Sequence, residues 1–427
     1  MKKILDLQFF AADYNVNTTG GLMQGGKVTD SNSLTPEMKT FYDKTLIRLA
    51  GPKLVHDQFG QKRPIPKGNG RNIEFRRFSK LPKAVTPITE GVTPDGNKLR
   101  VSAVNATVEQ YGDYIEQSDL LELTAIDNTI VEATYELGDQ AGLTLDTIVR
   151  NELAGGTNVI YIPTVNGGSE TEITSRADIS AHSRFRVKDV FRAAAALKAV
   201  NAPKIDGCYV GIIHPFVAYD LMQSAGDEWV DVAKYAAPDN ILNGEIGKLG
   251  GIRFVETSEA KIIGPAVISD GMSRLTVAEK AASGTTAVKV NEVLTTAKPV
   301  SPIEVYVNGV KNTVTNIEET DNGSTLTLGT ALSAAVEADS IVCGTGAGKD
   351  GSAVFCTLFL GANAYGSTEI EGGGLEHIVK QKGYGNDPLN QRSSVGWKAT
   401  KVAKRLIEEY LLRCESGSEF SATAETN

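Results

Sequence analysis

The chain has 427 residues, 41% of them hydrophobic and 22% charged, the balance of an ordinary globular protein and not of a disordered one. Forty-three Lys and Arg against 52 Asp and Glu leave a formal net charge of −9, which argues against a dedicated nucleic-acid binder, because neutralising phosphates takes a basic surface. A chain of this length can bury about three quarters of its unfolded surface without disulfide or metal, and length alone predicts about three domains, or one large domain with an insertion.

The first ten residues, Met1 to Phe10, superficially resemble a secretory signal, but Asp6 and Gln8 interrupt the apolar stretch. The expectation is a protein made and kept in the cytoplasm, at least initially. Residues 1–33 hold Gly20-Gly21 and Gly25-Gly26 but little periodicity, and predict an extended arm. A short helix follows, with Thr35 as its cap, Pro36 at its first position, and Met38, Phe41, Tyr42, Leu46 and Leu49 facing inward. Residues 1–59 thus read as an arm with one short helix.

Residues 60–115 are the unusual stretch. Between Gly60 and Lys83, eight basic residues (Lys62, Arg63, Lys67, Arg71, Arg76, Arg77, Lys80, Lys83) stand against one acid, Glu74, and five prolines from Pro64 to Pro94 forbid a helix. Asn72–Arg76 and Leu99–Val104 alternate like strands, which predicts a long two-stranded ribbon with its tip around Ile88–Asn97. Such a ribbon is marginal in water and wants another surface to lie on. The alternative is an ordinary exposed hairpin.

Asp119 to Ala154 carries the strongest helical pattern: Leu123, Ile126, Ile130, Ala133, Leu137, Ala141, Leu145 and Ile148 recur at three- and four-residue steps, and Gly155-Gly156 supplies the stop. A helix of that extent would span roughly 54 Å and act as a strut, with Gly138 and Gly142 marking a bend or a close crossing. Residues 116–186 are assigned to this helix and its flanking strands. From Val187 the pattern becomes α/β: a helix over Val187–Val200, a buried strand Tyr209–Ile213 ending at His214-Pro215, a helix over Phe216–Ala225, and a glycine turn at Gly250-Gly251 leading into Ile252–Val255. These fall in a segment 187–270. Residues 271–350 contain one aromatic, Tyr306, with Asn308-Gly309 as a type I′ hairpin signal and a second turn at Asp321–Gly323, and read as an inserted β-meander with a hinge-like exit at Cys343–Gly348. In residues 351–427, Ala353–Leu360 is a buried strand, Glu371–Leu375 turns into another, Val402–Arg413 is ambiguous between helix and strand, and the last dozen residues are polar and expected to fray.

Chemistry is hard to find. Cys208, Cys343, Cys356 and Cys414 form no C-x-x-C pair, and His56, His182, His214 and His377 are scattered, so no cofactor or metal is expected. Gly344–Lys349 resembles a phosphate-binding loop, but Cys343 stands where the first glycine belongs and Asp350 where a hydroxyl belongs. Glu369 and Glu371 share a strand face but read as solvated surface, and His214 as a structural histidine at a strand–helix corner. No apolar run approaches the ~18 residues that span a bilayer. The basic run could meet nucleic acid, or an acidic neighbouring subunit with equal reason.

The order of parts resembles the major capsid proteins of tailed bacteriophages, whose fold herpesvirus shells and bacterial encapsulins share. Leu7–Ala11, Ile212–Pro215 with the helix after it, Gly247–Ser258, and Asp387–Lys398 carry the resemblance, the last of them to the podovirus-type branch. It implies an α+β fold with an N-terminal arm, an extended β-ribbon, a long spine helix, an α/β axial domain and an inserted small β domain. It also implies a non-enzymatic subunit that assembles with itself, as hexamers and pentamers, into an icosahedral shell around a double-stranded DNA phage genome. Portal, scaffolding or decoration proteins would be its partners, no membrane would be involved, and its place would be the virion, assembled in the host cytoplasm. Arg63, Lys67, Arg71, Arg76, Arg77 and Lys80 would be the inter-subunit contacts. An encapsulin-like compartment, or a soluble nucleotide-binding enzyme built around Gly344–Lys349, stays open at this point.

Overall fold

A computed structural model describes residues 55–427 except 88–89, 92, 94–95, 121–128, 226–229, 232–244, 295–300, 321–322, 381, 383–388, 422–423 and 425. The expected arm and short helix lie outside the described residues. The chain forms two compact units, residues 1–152 with 365–406, and 153–364 with 407–427.

In the first unit the centre is one long strand, Arg392–Arg405, whose alternating buried positions Val395, Trp397, Ala399 and Ala403 give it a single core face. On one edge it pairs with Glu109–Ser118 through ten residues; on the other it pairs in turn with Glu376–Lys380 and Tyr365–Thr368. Helix α1 (Thr129–Ala154) packs Leu137, Ala141 and Leu145 against Val395, Trp397 and Ala399, the four-residue spacing that the sequence pattern predicts. Gly138 and Gly142 do not interrupt it; both are buried in an unbroken helix. The Trp397 indole N–H donates to Gln140 Oε1 at 3.0 Å, so the largest ring of this core has its one polar atom satisfied.

The second unit holds an eight-stranded sheet whose middle is Tyr209–Ile213, Ile252–Glu256 and Val354–Leu360, nearly all buried. Gly211 is required there because a Cβ would meet the rings of Phe254 and Phe359 at 3.0 and 3.1 Å. Helices α2 (Val187–Ala199) and α3 (Pro215–Ala225) lay Val190, Ala194, Leu197, Val217 and Leu221 on this sheet. The ambiguous stretch 402–413 resolves as strand: the long central strand ends at Arg405 and Leu411–Ser416 enters this second sheet after a single 3₁₀ turn. The C-terminal residues are docked, contrary to expectation. Ser416, Ser418 and Ser421 are fully buried, Phe420 stacks on Phe216 with ring centroids 4.6 Å apart, and the Asn427 amide bonds Ala260 and Ile262 like a strand neighbour at 2.9 Å each. Polar composition misleads there because the Ser418 and Ser421 hydroxyls find partners: Ser421 Oγ accepts from the Ser418 amide at 2.8 Å, and Ser418 Oγ donates to Phe216 O at 3.5 Å.

The insertion is a closed barrel and not an open meander. Its strands run in the order Arg274–Thr276, Ile341–Gly344, Ile303–Val307, Val310–Thr320, Gly323–Leu328, Ala287–Val290. The last meets the first where Val277 bridges Val290, with the Ala278 amide donating to Lys289 O at 2.8 Å and the Asn291 amide to Thr276 O at 2.9 Å. Closure removes the exposed edges that an open sheet would present. Its core cluster is built from Val, Leu, Ile and Ala, which accounts for the missing aromatics: six strands enclose too narrow a space for rings. Asn308 and Gly309 both take positive φ, 49° and 78°, as the type I′ turn demands. The exit is not a hinge, since Thr345 O accepts from the Ala266 amide and Ile179 O from the Lys349 amide, which pins it on both sides.

Entry and exit of the barrel are therefore adjacent, and its core is its own. Replacing residues 267–344 with a short Gly-Ser linker should leave a soluble chain that still melts cooperatively; aggregation or a non-cooperative melt in circular dichroism would contradict this. His214 yields a pH prediction. Its unprotonated Nδ1 accepts the Phe216 amide at 3.2 Å at the start of α3, and burial lowers its pKa from 6.5 to about 4. The unfolded chain takes the proton first, so stability is complete above pH 6.5 and is lost as pH falls toward 4, by up to about 3 kcal/mol. His214→Asn keeps an acceptor without titrating and should flatten that slope in denaturant midpoints at pH 7 and pH 5; identical slopes in both proteins would contradict it.

Candidate inter-subunit surface

The ribbon forms where alternation predicts it: Asn72–Phe78 pairs antiparallel with Val101–Thr107, from Asn72 opposite Thr107 to Phe78 opposite Val101. Strand alternation gives the pair two faces. Ile73, Phe75, Val104 and Ala106 lie on one, and at the root this face rests on the ribbon's own unit. Phe75 and Ala106 are buried, and the Phe75 ring is close enough to Gly366 that a Cβ there would come within 2.9 Å of it. The expectation that the ribbon lacks any bed of its own is thus corrected at its root. Residues 109–115, placed in the ribbon stretch by sequence, pair instead with the strand Arg392–Arg405, together with residues 116–118.

Beyond Phe75 the support ends. Among the described residues, every one from Arg76 to Ala103 is exposed, and past the paired strands the Ser79 amide still donates to Arg100 O at 2.9 Å. Five large apolar side chains, Phe78, Leu81, Val85, Leu99 and Val101, are each between 51% and 81% exposed. Leu99 and Val101 were legible as part of an alternating strand but not as uncovered surface, whereas Leu81 and Val85 are isolated among prolines and charges and fit no periodic pattern. Their apolar character in a stretch that cannot be a helix was the available signal.

All six basic candidates are exposed, strung along the ribbon and its approach instead of gathered at one point. The Arg63 amide donates to Ser367 O at 3.3 Å and the Arg71 carbonyl accepts from the Val108 amide at 2.8 Å, so their backbones are fixed while their side chains project. Lys67 sits in the turn before the ribbon. Arg76 Nε donates to Glu74 Oε1 at 3.0 Å on the same strand, Arg77 points to the opposite face from Arg76, and Lys80 follows the last strand residue. Magnitudes rank the two kinds of group. Exposed ion pairs are worth roughly 0–1 kcal/mol, whereas full burial of one apolar side chain of this size is worth roughly 1.5–3 kcal/mol. A surface covering the ribbon would gain mainly from the five apolar side chains, with the cations setting orientation.

In Gly344–Lys349 the amides of Gly344, Gly348 and Lys349 donate to Ser273 O, Ser352 O and Ile179 O, so they are unavailable to a phosphate. Gly344 and Gly348 are needed for close packing, since a Cβ would meet Ala266 O at 1.9 Å or Ile179 O at 2.3 Å. Glu369 and Glu371 are exposed. Burial pushes the Cys343 and Cys356 thiols up to about 11 and about 12, away from nucleophilic use. Among the described residues no group of three or more His, Cys, Asp or Glu could hold a metal, and no helix is long and apolar enough to cross a membrane.

No family model matches the chain, and no curated protein matches it. Solved structures do. The capsid of Ralstonia phage GP4 aligns over 94% of this chain and 98% of its own, with a TM-score of 0.52 at 12% identity. The capsid of cyanophage P-SCSP1u aligns over 86% and 88% (TM-score 0.48, 13% identity), and that of cyanophage Pam1 over 96% and 99% (TM-score 0.47, 11% identity). At such identities the likeness speaks to fold, and the GP4 capsid, matched nearly end to end, carries it. The chain has the α+β fold of tailed-phage major capsid proteins.

Proposed function

We propose that the chain is a major capsid protein that assembles with copies of itself into an icosahedral shell enclosing a double-stranded DNA phage genome. One observation carries the reading: a chain with a phage-capsid fold along nearly its whole length presents a ribbon whose outer part, apolar and basic together, has no cover among the described residues. Its work is mechanical. The ribbon lies across a neighbouring subunit, which covers Phe78, Leu81, Val85, Leu99 and Val101, while Arg63, Lys67, Arg71, Arg76, Arg77 and Lys80 fix its register on acidic groups. Residues 187–270 act as the axial domain around symmetry axes, the arm reaches a neighbour as the ribbon does, and hexamers and pentamers close the shell. Portal and scaffolding or decoration proteins complete the partners, and the shell forms in the host cytoplasm to become part of the virion. The nucleotide-enzyme alternative loses support, since the amides of Gly344, Gly348 and Lys349 are already occupied.

Electron microscopy of the purified protein should show closed shells; a uniformly monomeric protein under all assembly conditions would contradict the reading. The variant carrying Arg71→Glu, Arg76→Glu and Arg77→Glu should keep the wild-type circular dichroism spectrum, because all three side chains are exposed, yet sediment as unassembled protein. Normal shells from that variant would remove the basic residues from the interface.

A further inference from the structure

A second concentration of positive charge lies away from the ribbon, on helix α2 and the residues that lead into it. The exposed residues of α2 are Lys188, Phe191, Arg192, Ala195, Lys198 and Ala199. At 3.6 residues per turn these fall within an arc of about 120°, one stripe turned away from the Val190, Ala194 and Leu197 face that packs on the sheet. Every charged member of the stripe is basic. The helix's one acid, Asp189, is buried and faces Arg186 at 3.5 Å. Lys188 shares Glu170 with Arg186, whereas among the described residues no ion pair holds Arg192 or Lys198. The basic surface continues before the helix, where His182, Arg184, Arg186, Gln223 and Ser224 line a hollow of about 370 Å³. Arg184 stands 3.6 Å from Glu419, and the buried Asp220 at the side of the hollow accepts the Glu419 amide at 3.3 Å.

From Arg184 to Lys198 the Lys and Arg side chains thus outnumber the exposed acids that meet them, Glu170 and Glu419, in a chain whose formal charge is −9. What else the surface carries decides what it fits. The ribbon joins its cations to five exposed large apolar side chains, the composition of a protein contact. The α2 stripe offers one, Phe191, which is 50% exposed and rests on the turn at Gly250, where a Cβ would stand 3.1 Å from its ring. Its other uncharged members are alanines, so there is little apolar area to bury and the attraction it exerts is electrostatic. Lys188 to Lys198 covers about 15 Å of helix axis, against a phosphate every 3.4 Å or so along one strand of a duplex. The alanines between the cations leave a rod of negative charge free to approach.

We propose that the α2 stripe, with the arginines at its start, is a contact surface for the phosphate backbone of double-stranded DNA, turned toward the inside of the shell. That it meets an enclosed genome rests on the shell reading above; that it binds duplex DNA does not. The contact is independent of sequence, because phosphates carry no base information. It is also weak, since only a few cations take part and the rest of the chain is acidic. A container that must hold DNA and later let it go is served by contacts of that kind.

The test has two arms. In the first, a fluorescent DNA duplex of mixed sequence is titrated with the unassembled full-length chain at rising salt. The logarithm of affinity should fall against the logarithm of salt with a slope of about −3, the mark of three or four neutralised phosphates. Combining Arg192→Glu with Lys198→Glu should weaken binding at least about tenfold and bring the slope to about −1. Arg192→Gln with Lys198→Gln should move both in the same direction but less, and decides the matter if the first variant does not fold. Arg76→Glu with Arg77→Glu in the ribbon should leave affinity within about twofold of the wild type. Wild-type affinity in the α2 variants, or a loss carried by the ribbon variant instead, would overturn the DNA surface. In the second arm, acetylation of Lys188 and Lys198, read by mass spectrometry, should be at least about threefold slower in DNA-filled particles than in empty ones, as phosphates cover the amines. Equal rates in the two would overturn the inward placement, fast rates putting the stripe on the outside and slow ones putting it between two copies. A wild type that forms no shells would fail the shell reading, while the titration still decides DNA binding.

Discussion

A two-stranded ribbon has no interior. Each face it exposes must be covered by something else or remain in water at a cost set by its apolar area. In this chain the root of the ribbon is covered from within, by Phe75 over Gly366, and the outer part is not: Phe78, Leu81, Val85, Leu99 and Val101 stand exposed among lysines and arginines. That division organises the functional reading. The covered root gives the ribbon a fixed origin, and the uncovered part gives association a driving force that no internal contact among the described residues competes for. The arginines matter in a second way, by making wrong placements costly through unmatched charge.

Two other features take surface out of reach of accidental pairing. The barrel closes on itself through Val277 and Val290, and the C-terminal residues lie against the second unit with Phe420 on Phe216. A protein built to associate at chosen surfaces has reason to deny the others, and closed sheets and docked ends do so.

Local signals were legible in the sequence. Asn308-Gly309 announces its hairpin, Tyr209–Ile213 ending at His214-Pro215 announces strand then helix, and the Leu137, Ala141, Leu145 spacing announces α1, because each is decided by residues within a few positions of one another. What stayed hidden is non-local. Nothing near Glu109–Ser118 says that its partner is Arg392–Lys401, far along the chain, and nothing near Val277 says that Val290 closes a barrel. The Val402–Arg413 stretch was ambiguous because its apolar residues at four-residue steps suit a helix, and only the pairing with Tyr365–Thr368 makes its first residues a strand. For the site, the basic run was visible as charge, whereas the lack of cover over the apolar anchors needed the fold to bring their surroundings into view.

The central claim, that the outer ribbon is covered only by another copy, is tested most directly by amide exchange across residues 79–100 in the free chain and in the assembled particle. Exchange should be rapid in the free chain and strongly suppressed in the particle. Protection already complete in the free chain, or exchange equally rapid in both, would contradict it.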